Sequence, residues 1–235
     1  MQPYIIITAP HSKCVNVLER TCDLVAGKAS EYLYEIVHQQ YPNVVSLHSS
    51  NIYRSEDQCD NEYCDLNRPW AICRTNYWST LAKNIKEVRG KYNPIFLIDV
   101  HSYPATESET KDLDVYLLNT TQFKYGSKEL SHYIKRNINS LSGGGGNDKI
   151  MLQYVKDLNN ILEENSIKRK ILIGTDDNAI NVIGSSNGFI TILIEFNENL
   201  RDSRIEEICH IILQWIEEEI EWNTMITEYP NFDCY

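Results

Sequence analysis

No run in this chain is apolar over enough residues to cross a membrane. Its opening apolar stretch, Tyr4 to Ala9, is too short for a secretory signal and has no basic flank. Positive charge is scarce. The 22 Lys and Arg stand against 33 Asp and Glu, for a formal net charge of −11. That deficit excludes the basic footprint that non-specific nucleic-acid binding needs, and it argues against an anionic membrane surface. It leaves room for an anionic substrate, because a few Arg can capture a carboxylate inside an acidic protein. The seven Cys are an odd number with no metal-binding pattern: Cys59 and Cys64 lie close together, but no second pair completes a zinc ribbon. Free thiols in a cytoplasmic protein are the expectation. The one glycine-rich run, Gly143 to Gly146, has no Lys-Ser/Thr after it and so is no phosphate loop; it reads as a flexible linker between helices. There is no internal repeat and no domain linker, so the 235 residues read as a single domain, 1–235, with room for a sizeable core.

What is present is an alternation of short apolar strands with longer amphipathic stretches. Strands are expected at Tyr4 to Thr8, Val44 to Leu47, Ile95 to Asp99, Val115 to Leu118, Lys170 to Gly174 and Phe189 to Ile194. Helices are expected at Cys22 to Gln40, Thr75 to Val88, Ser127 to Leu141, Ile150 to Glu164 and Arg204 to Glu219. Ser49 to Asp65 and Thr175 to Asn187 read as polar loops, and the tail from Trp222 as surface packing. The continuous apolar run at Phe189 to Ile194 marks a strand buried on both faces. Together these elements predict an α/β fold, a three-layer sandwich with a mixed β-sheet and helices on both faces.

Chemistry collects just past two of these strands. The first runs into Pro10-His11-Ser12, and Ile95 to Asp99 runs into Val100-His101-Ser102. Ligands gather in the crevice outside the carboxyl ends of strands in open α/β sheets. Two imidazoles there, with an acid nearby, supply what a hydrolytic metal site needs: three protein ligands and an open position. Asp23, opening the first helix, and Glu19, just before it, are both candidates for the acid. Glu195 closes the most apolar strand, where desolvation raises a carboxylate's pKa toward the range of a general base. In Asp65-Leu66-Asn67-Arg68-Pro69, Arg68 offers a planar fork for a substrate carboxylate and Asn67 a donor beside it; Arg54 is a second cation in the same polar stretch.

Pro10-His11-Ser12, Glu19-Arg20 with Asp23, Asp65-Leu66-Asn67-Arg68-Pro69, Asp99-Val100-His101-Ser102-Tyr103-Pro104 and Leu193-Ile194-Glu195-Phe196-Asn197 occur in this order. As an ordered set spanning residues 5 to 202, they resemble the N-formylglutamate amidohydrolase family, which belongs to the zinc carboxypeptidase-like hydrolases. The resemblance implies a carboxypeptidase- or phosphorylase/hydrolase-like sandwich. It also implies a Zn2+ cofactor on His11, Asp23 and His101, with Asp23 preferred to Glu19. Glu195 is then the general base, and Arg68, Asn67 and Arg54 bind substrate. The implied reaction is hydrolysis of an amide next to a carboxylate-bearing amino acid, on a small acidic N-acyl amino acid or short peptide. The chain departs from many relatives at Lys13, where they carry Gly, and at Asn197, where they carry Arg. Both departures bear on the substrate rather than on the metal. A zinc peptidase or amidase acting on peptidoglycan or γ-glutamyl peptides is the second enzyme reading. An inactive binding relative is the third.

Overall fold

The structure, a computed structural model, describes residues 2–14, 22–55, 57–68, 71–72, 74–104, 106, 110–119, 148–173 and 178–228. Its strands are β1 (Tyr4–Ala9), β2 (Val45–Ser49), β3 (Ile95–Tyr103), β4 (Val115–Asn119), β5 (Arg169–Ile173) and β6 (Ile190–Asn197). Its helices are α1 (Ala26–Gln40), α2 (Asn76–Val88), α3 (Asp148–Glu164), α4 (Ala179–Ser186) and α5 (Asp202–Glu228). The strands form one sheet in the order β2-β1-β3-β6-β4-β5. The first four run parallel, β4 pairs with β6 antiparallel, and β5 runs parallel to β4.

Two apolar faces explain the layers. Side chains alternate across a strand, so Ile5 and Ile7 of β1 point opposite to Tyr4 and Ile6. The first pair joins Phe96, Ile98, Val100, Ile192 and Ile194 in a core closed by α1, α3 and α5. The second joins Leu97 in a smaller core closed by α2 and α4, through residues such as Trp78, Leu81, Ile180 and Ile183. Strands lined on both sides read as continuous apolar runs, which is why β1, β3 and β6 are plain in the sequence. The larger core includes Trp215, whose ring meets Phe96 edge-on at a centroid distance of 5.7 Å. The mixed sheet with helices on both faces is the architecture expected.

Several boundaries differ from expectation. β3 continues four residues past Asp99 and β6 three past Ile194, so His101 and Glu195 stand within strands rather than beyond them. Thr175 to Asn187, expected as loop, contains α4. Its N-cap Asn178 accepts from the amide of Asn181, and Ala179, Ile180 and Ile183 join the core on that side of the sheet. Gly184 lets that helix lie close, since a Cβ there would meet the Thr191 hydroxyl at 2.7 Å. α1 begins at Ala26 rather than Cys22. α5 runs on to Glu228, because no Gly or Pro interrupts Glu219 to Glu228. The helix expected at Ser127 to Leu141, the glycine run and Glu19 lie outside the described residues. Among the described residues, no helix is long and apolar enough to cross a membrane.

Candidate metal centre

Register builds the first half of the site. β3 and β6 pair with His101 opposite Glu195, and β1 pairs with β3 with Thr8 opposite Asp99. Residues two apart share a face, so Leu97, Asp99 and His101 of β3 all face the α2/α4 side. Asp99 is fully buried and accepts from Thr8 Oγ1 at 2.6 Å, Asn181 Nδ2 at 2.9 Å and Asn178 Nδ2 at 3.3 Å. It also lies 3.2 Å from His101 Nε2, which turns the other ring nitrogen, Nδ1, toward Asp23 Oδ2 at 2.7 Å.

Loops build the second half. His11 follows β1 and Asp23 precedes α1, the Asp23 amide donating to the His11 carbonyl at 3.0 Å. His11 Nε2 lies 2.9 Å from Asp65 Oδ1, and its Nδ1 lies 3.6 Å from Asp23 Oδ2. The two imidazoles meet edge to face, 5.2 Å between centroids. Asp65 is buried and takes three further donors or cations: the Asn67 amide at 3.1 Å, Arg68 Nε at 3.3 Å and an Arg54 nitrogen at 3.7 Å. Arg54 also stands 3.9 Å from Asp23 Oδ1. The segment from Asp65 to Arg68 hangs from the helices below: Trp78 Nε1 donates to the Leu66 carbonyl and the Ala179 amide to that of Asn67, each at 2.9 Å.

Charge follows the geometry. Burial pushes the Asp23 carboxyl up, but the His101 hydrogen bond and the neighbouring His11 imidazole outweigh it and hold the group well below the usual carboxylate range. Asp65 is held low in the same way, by His11, Arg54 and Arg68 against burial. Burial alone would lower His101; the charge of Asp99 and the hydrogen bonds to Asp23 and Asp99 raise it well above an ordinary imidazole. Glu195 is pushed up to about 7, chiefly by burial.

His11, Asp23 and His101 each offer one ligand atom, all within 4.8 Å of one another. His11 Nδ1 is a test of whether this set suits a cation. It is buried and has no hydrogen-bond partner. With the proton of His11 on Nε2, facing Asp65, the Nδ1 lone pair points at a carboxylate. A metal ion between them satisfies both, and each histidine then has a carboxylate on its outer nitrogen, as ligating imidazoles usually do. Two imidazoles and a carboxylate fit a borderline-soft ion such as zinc.

The sequence candidates come together: His11, Asp23 and His101 meet, Glu195 adjoins His101 by register, and Arg54 and Arg68 both approach Asp65. The Asn67 side-chain amide lies 3.2 Å from His101 Nε2. The two departures at Lys13 and Asn197 turn aside from these three residues. Lys13 Nζ donates to the Asn51 carbonyl at 2.6 Å and lies 3.7 Å from the centre of the Tyr53 ring. Asn197 uses its amide on the Leu113 and Lys111 carbonyls and on the Asn199 N–H.

Sequence reasoning missed several supports. Asp65 was read only as part of a motif, and Thr8, Asn178 and Asn181 not at all; no local signal marks a residue that acts across 54 to 91 positions. The expectation of free thiols is also corrected. Cys14 is bonded to Cys22 and Cys59 to Cys64, leaving Cys209, in the core, as the free cysteine among the described residues. Spacing alone does not reveal such pairing.

No family model matches the chain, and no curated protein matches it in sequence. Solved structures do resemble it. A gene product of Agrobacterium tumefaciens superposes with a TM-score of 0.57 at 9% identity, over 94% of this chain and 90% of that one. An N-formylglutamate amidohydrolase from Ralstonia eutropha superposes with a TM-score of 0.53 at 13% identity, over 95% of each chain. At such identities the likeness is one of fold.

Proposed function

We propose that this chain, acting as a single domain, is a metal-dependent hydrolase. It cleaves an amide next to a carboxylate-bearing amino acid, with N-formylglutamate or a related N-acyl amino acid as the leading substrate. The observation that carries this reading is the convergence of two histidine Nδ1 atoms on Asp23 Oδ2, at 2.7 and 3.6 Å, each ring backed at Nε2 by a buried carboxylate. The fold likeness to an N-formylglutamate amidohydrolase supports it from a separate direction.

His11, Asp23 and His101 would hold the ion. Bound there, zinc would supply Lewis acidity and make water acidic enough to lose a proton near neutral pH. Glu195, in register with His101, is the general base: it takes a proton from the attacking water and returns it to the departing nitrogen. Arg68 and Arg54 attract the substrate's carboxylate, and Asn67 orients it. The disulfides support an oxidising compartment in place of the cytoplasm expected from the sequence.

The test joins metal content to turnover. Purified protein should carry about one zinc per chain, and His11→Ala and His101→Ala should each lose most of it. A panel of N-acyl amino acids, γ-glutamyl peptides and peptidoglycan stem peptides then identifies the substrate class. Full zinc in both variants sinks the metal site. Turnover of the peptides but not the N-acyl amino acids replaces the leading substrate with the peptide reading.

A further inference from the structure

Each loop-borne acid of the site is immediately preceded by a disulfide-bonded cysteine. Cys22 precedes Asp23 and is bonded to Cys14, three residues after His11; Cys64 precedes Asp65 and is bonded to Cys59. The first bond joins the two segments that carry His11 and Asp23, with 5.2 Å between its Cα atoms. The supports of the two acids differ. Asp65 is held independently by the amide of Asn67, by Arg68, and by Trp78 on the neighbouring carbonyl. Apart from its contacts with the two histidines, Asp23 has a 3.9 Å approach to Arg54 and its amide bond to the His11 carbonyl. The helix it leads into has no side-chain cap of its own; Ser102 Oγ accepts from the Val25 amide at 3.2 Å and Glu198 from that of Leu24 at 3.4 Å.

The electrostatics give this covalent tie a task. Asp23, Asp65, Asp99 and Glu195 crowd one site. In the metal-free site the His101 and His11 imidazoles offset that crowding around Asp23, and an ion that takes their nitrogens removes this tether. A disulfide limits how far the Asp23 segment can go, so the ligands wait near their binding geometry and less ordering remains to be done when the ion binds.

We propose that Cys14–Cys22 is a redox-dependent positioning element for the metal ligand Asp23, so that the site binds its ion tightly only when this disulfide is formed. This rests on the metal reading above. The switching step is ordinary exchange with a dithiol. One thiolate attacks a cystine sulfur and the sulfur–sulfur bond breaks. The second thiolate resolves the mixed disulfide, leaving two cysteine thiols and an oxidised dithiol. Cys59–Cys64 serves as the internal control, because Asp65 keeps its other supports.

The test measures Zn2+ affinity by competition with a chromophoric chelator, and the visible spectrum of the Co2+ form, with circular dichroism of the metal-free proteins alongside. Cys14→Ser/Cys22→Ser should bind Zn2+ roughly 10–100-fold more weakly than the oxidised parent and give an altered Co2+ spectrum, in the range seen when supports of metal ligands are removed. Cys59→Ser/Cys64→Ser should stay within about threefold, below the usual effect of such supports. If the first variant does not fold, the second takes its place after reduction by a water-soluble phosphine, which becomes the phosphine oxide, and alkylation of the freed thiols. The same weakening is expected there. Equal affinity with and without the Cys14–Cys22 bond, or equal losses in the two double variants, overturns the proposal. An oxidised parent that takes up no Zn2+, or a His101→Ala variant that keeps it, overturns the metal reading first and this inference with it.

Discussion

The two histidines approach Asp23 from unlike supports. His101 stands on a central strand, and its backing carboxylate, Asp99, is surrounded by neutral donors: one hydroxyl and two amides. His11 stands on a loop, and its backing carboxylate, Asp65, is shared with two arginines. The strand half is fixed by register and core packing. The loop half is fixed by ion pairs and covalent ties. Negative charge on Asp99 is left to act on His101, consistent with the strong upward shift of that imidazole; negative charge on Asp65 is divided among three cations or donors. One half holds geometry, and the other gathers the cations Arg54 and Arg68.

The largest effect should come from the strand half. Glu195→Gln is expected to lower kcat roughly 10²–10⁴-fold with zinc retained, measured on the best substrate of the panel. Parental activity in that variant removes Glu195 from the chemistry. Next, Asp99→Asn and Asp65→Asn should each weaken zinc binding by about 10–100-fold, but with opposite salt responses. The Asp65→Asn loss should shrink in high salt, because it leaves Arg54 and Arg68, both partly exposed, to repel the ion. The Asp99→Asn loss should be insensitive, since its surroundings, the His101 ring included, are buried and shielded from salt. Identical salt profiles would erase the distinction between the halves.

A smaller effect belongs to binding. Arg68→Ala should mainly raise KM, by about 1.5–3 kcal/mol for a lost charged hydrogen bond, with Arg68→Lys recovering part of it. A fall in kcat at unchanged KM assigns Arg68 to the reaction rather than to the substrate. The smallest is a pH effect on metal-free protein. The Asp65 carboxyl lies below its ordinary 3.8, so the stability it contributes is full above that value and is lost as pH falls below it. Asp65→Asn should flatten that acid limb, costing about 1–3 kcal/mol at neutral pH. Denaturant titrations at several pH values check it.

The same contrast explains what could be read in advance. β1, β3 and β6 announce themselves as apolar runs, and His11, His101 and Glu195 lie at or near the points where those runs turn polar. What escaped is what depends on partners far along the chain. Asp99 and Asp65 look alike as letters; only the fold brings Thr8, Asn178 and Asn181 to one and Arg54 to the other. α4 was hidden because Asn178, Asn181, Ser185 and Ser186 give the stretch a loop-like polarity, while its apolar Ala179, Ile180, Val182 and Ile183 span too short a run to show a period. The disulfides were hidden because sequence separation does not encode pairing.

The pairing of His101 with Glu195 also governs how this chemistry can be lost or kept. A slip of β6 by one residue against β3 would bring Ile194 or Phe196 beside the imidazole and turn the acid to the other side of the sheet. It would also drag the buried row of Ile190, Ile192 and Ile194 away from α1, α3 and α5. On the proposed reading, the alignment of the base is thus guarded by oily residues on the other face of the sheet. A chain that keeps this core keeps Glu195 beside His101, whereas the loops around Asp23 and Asp65 are held by other means.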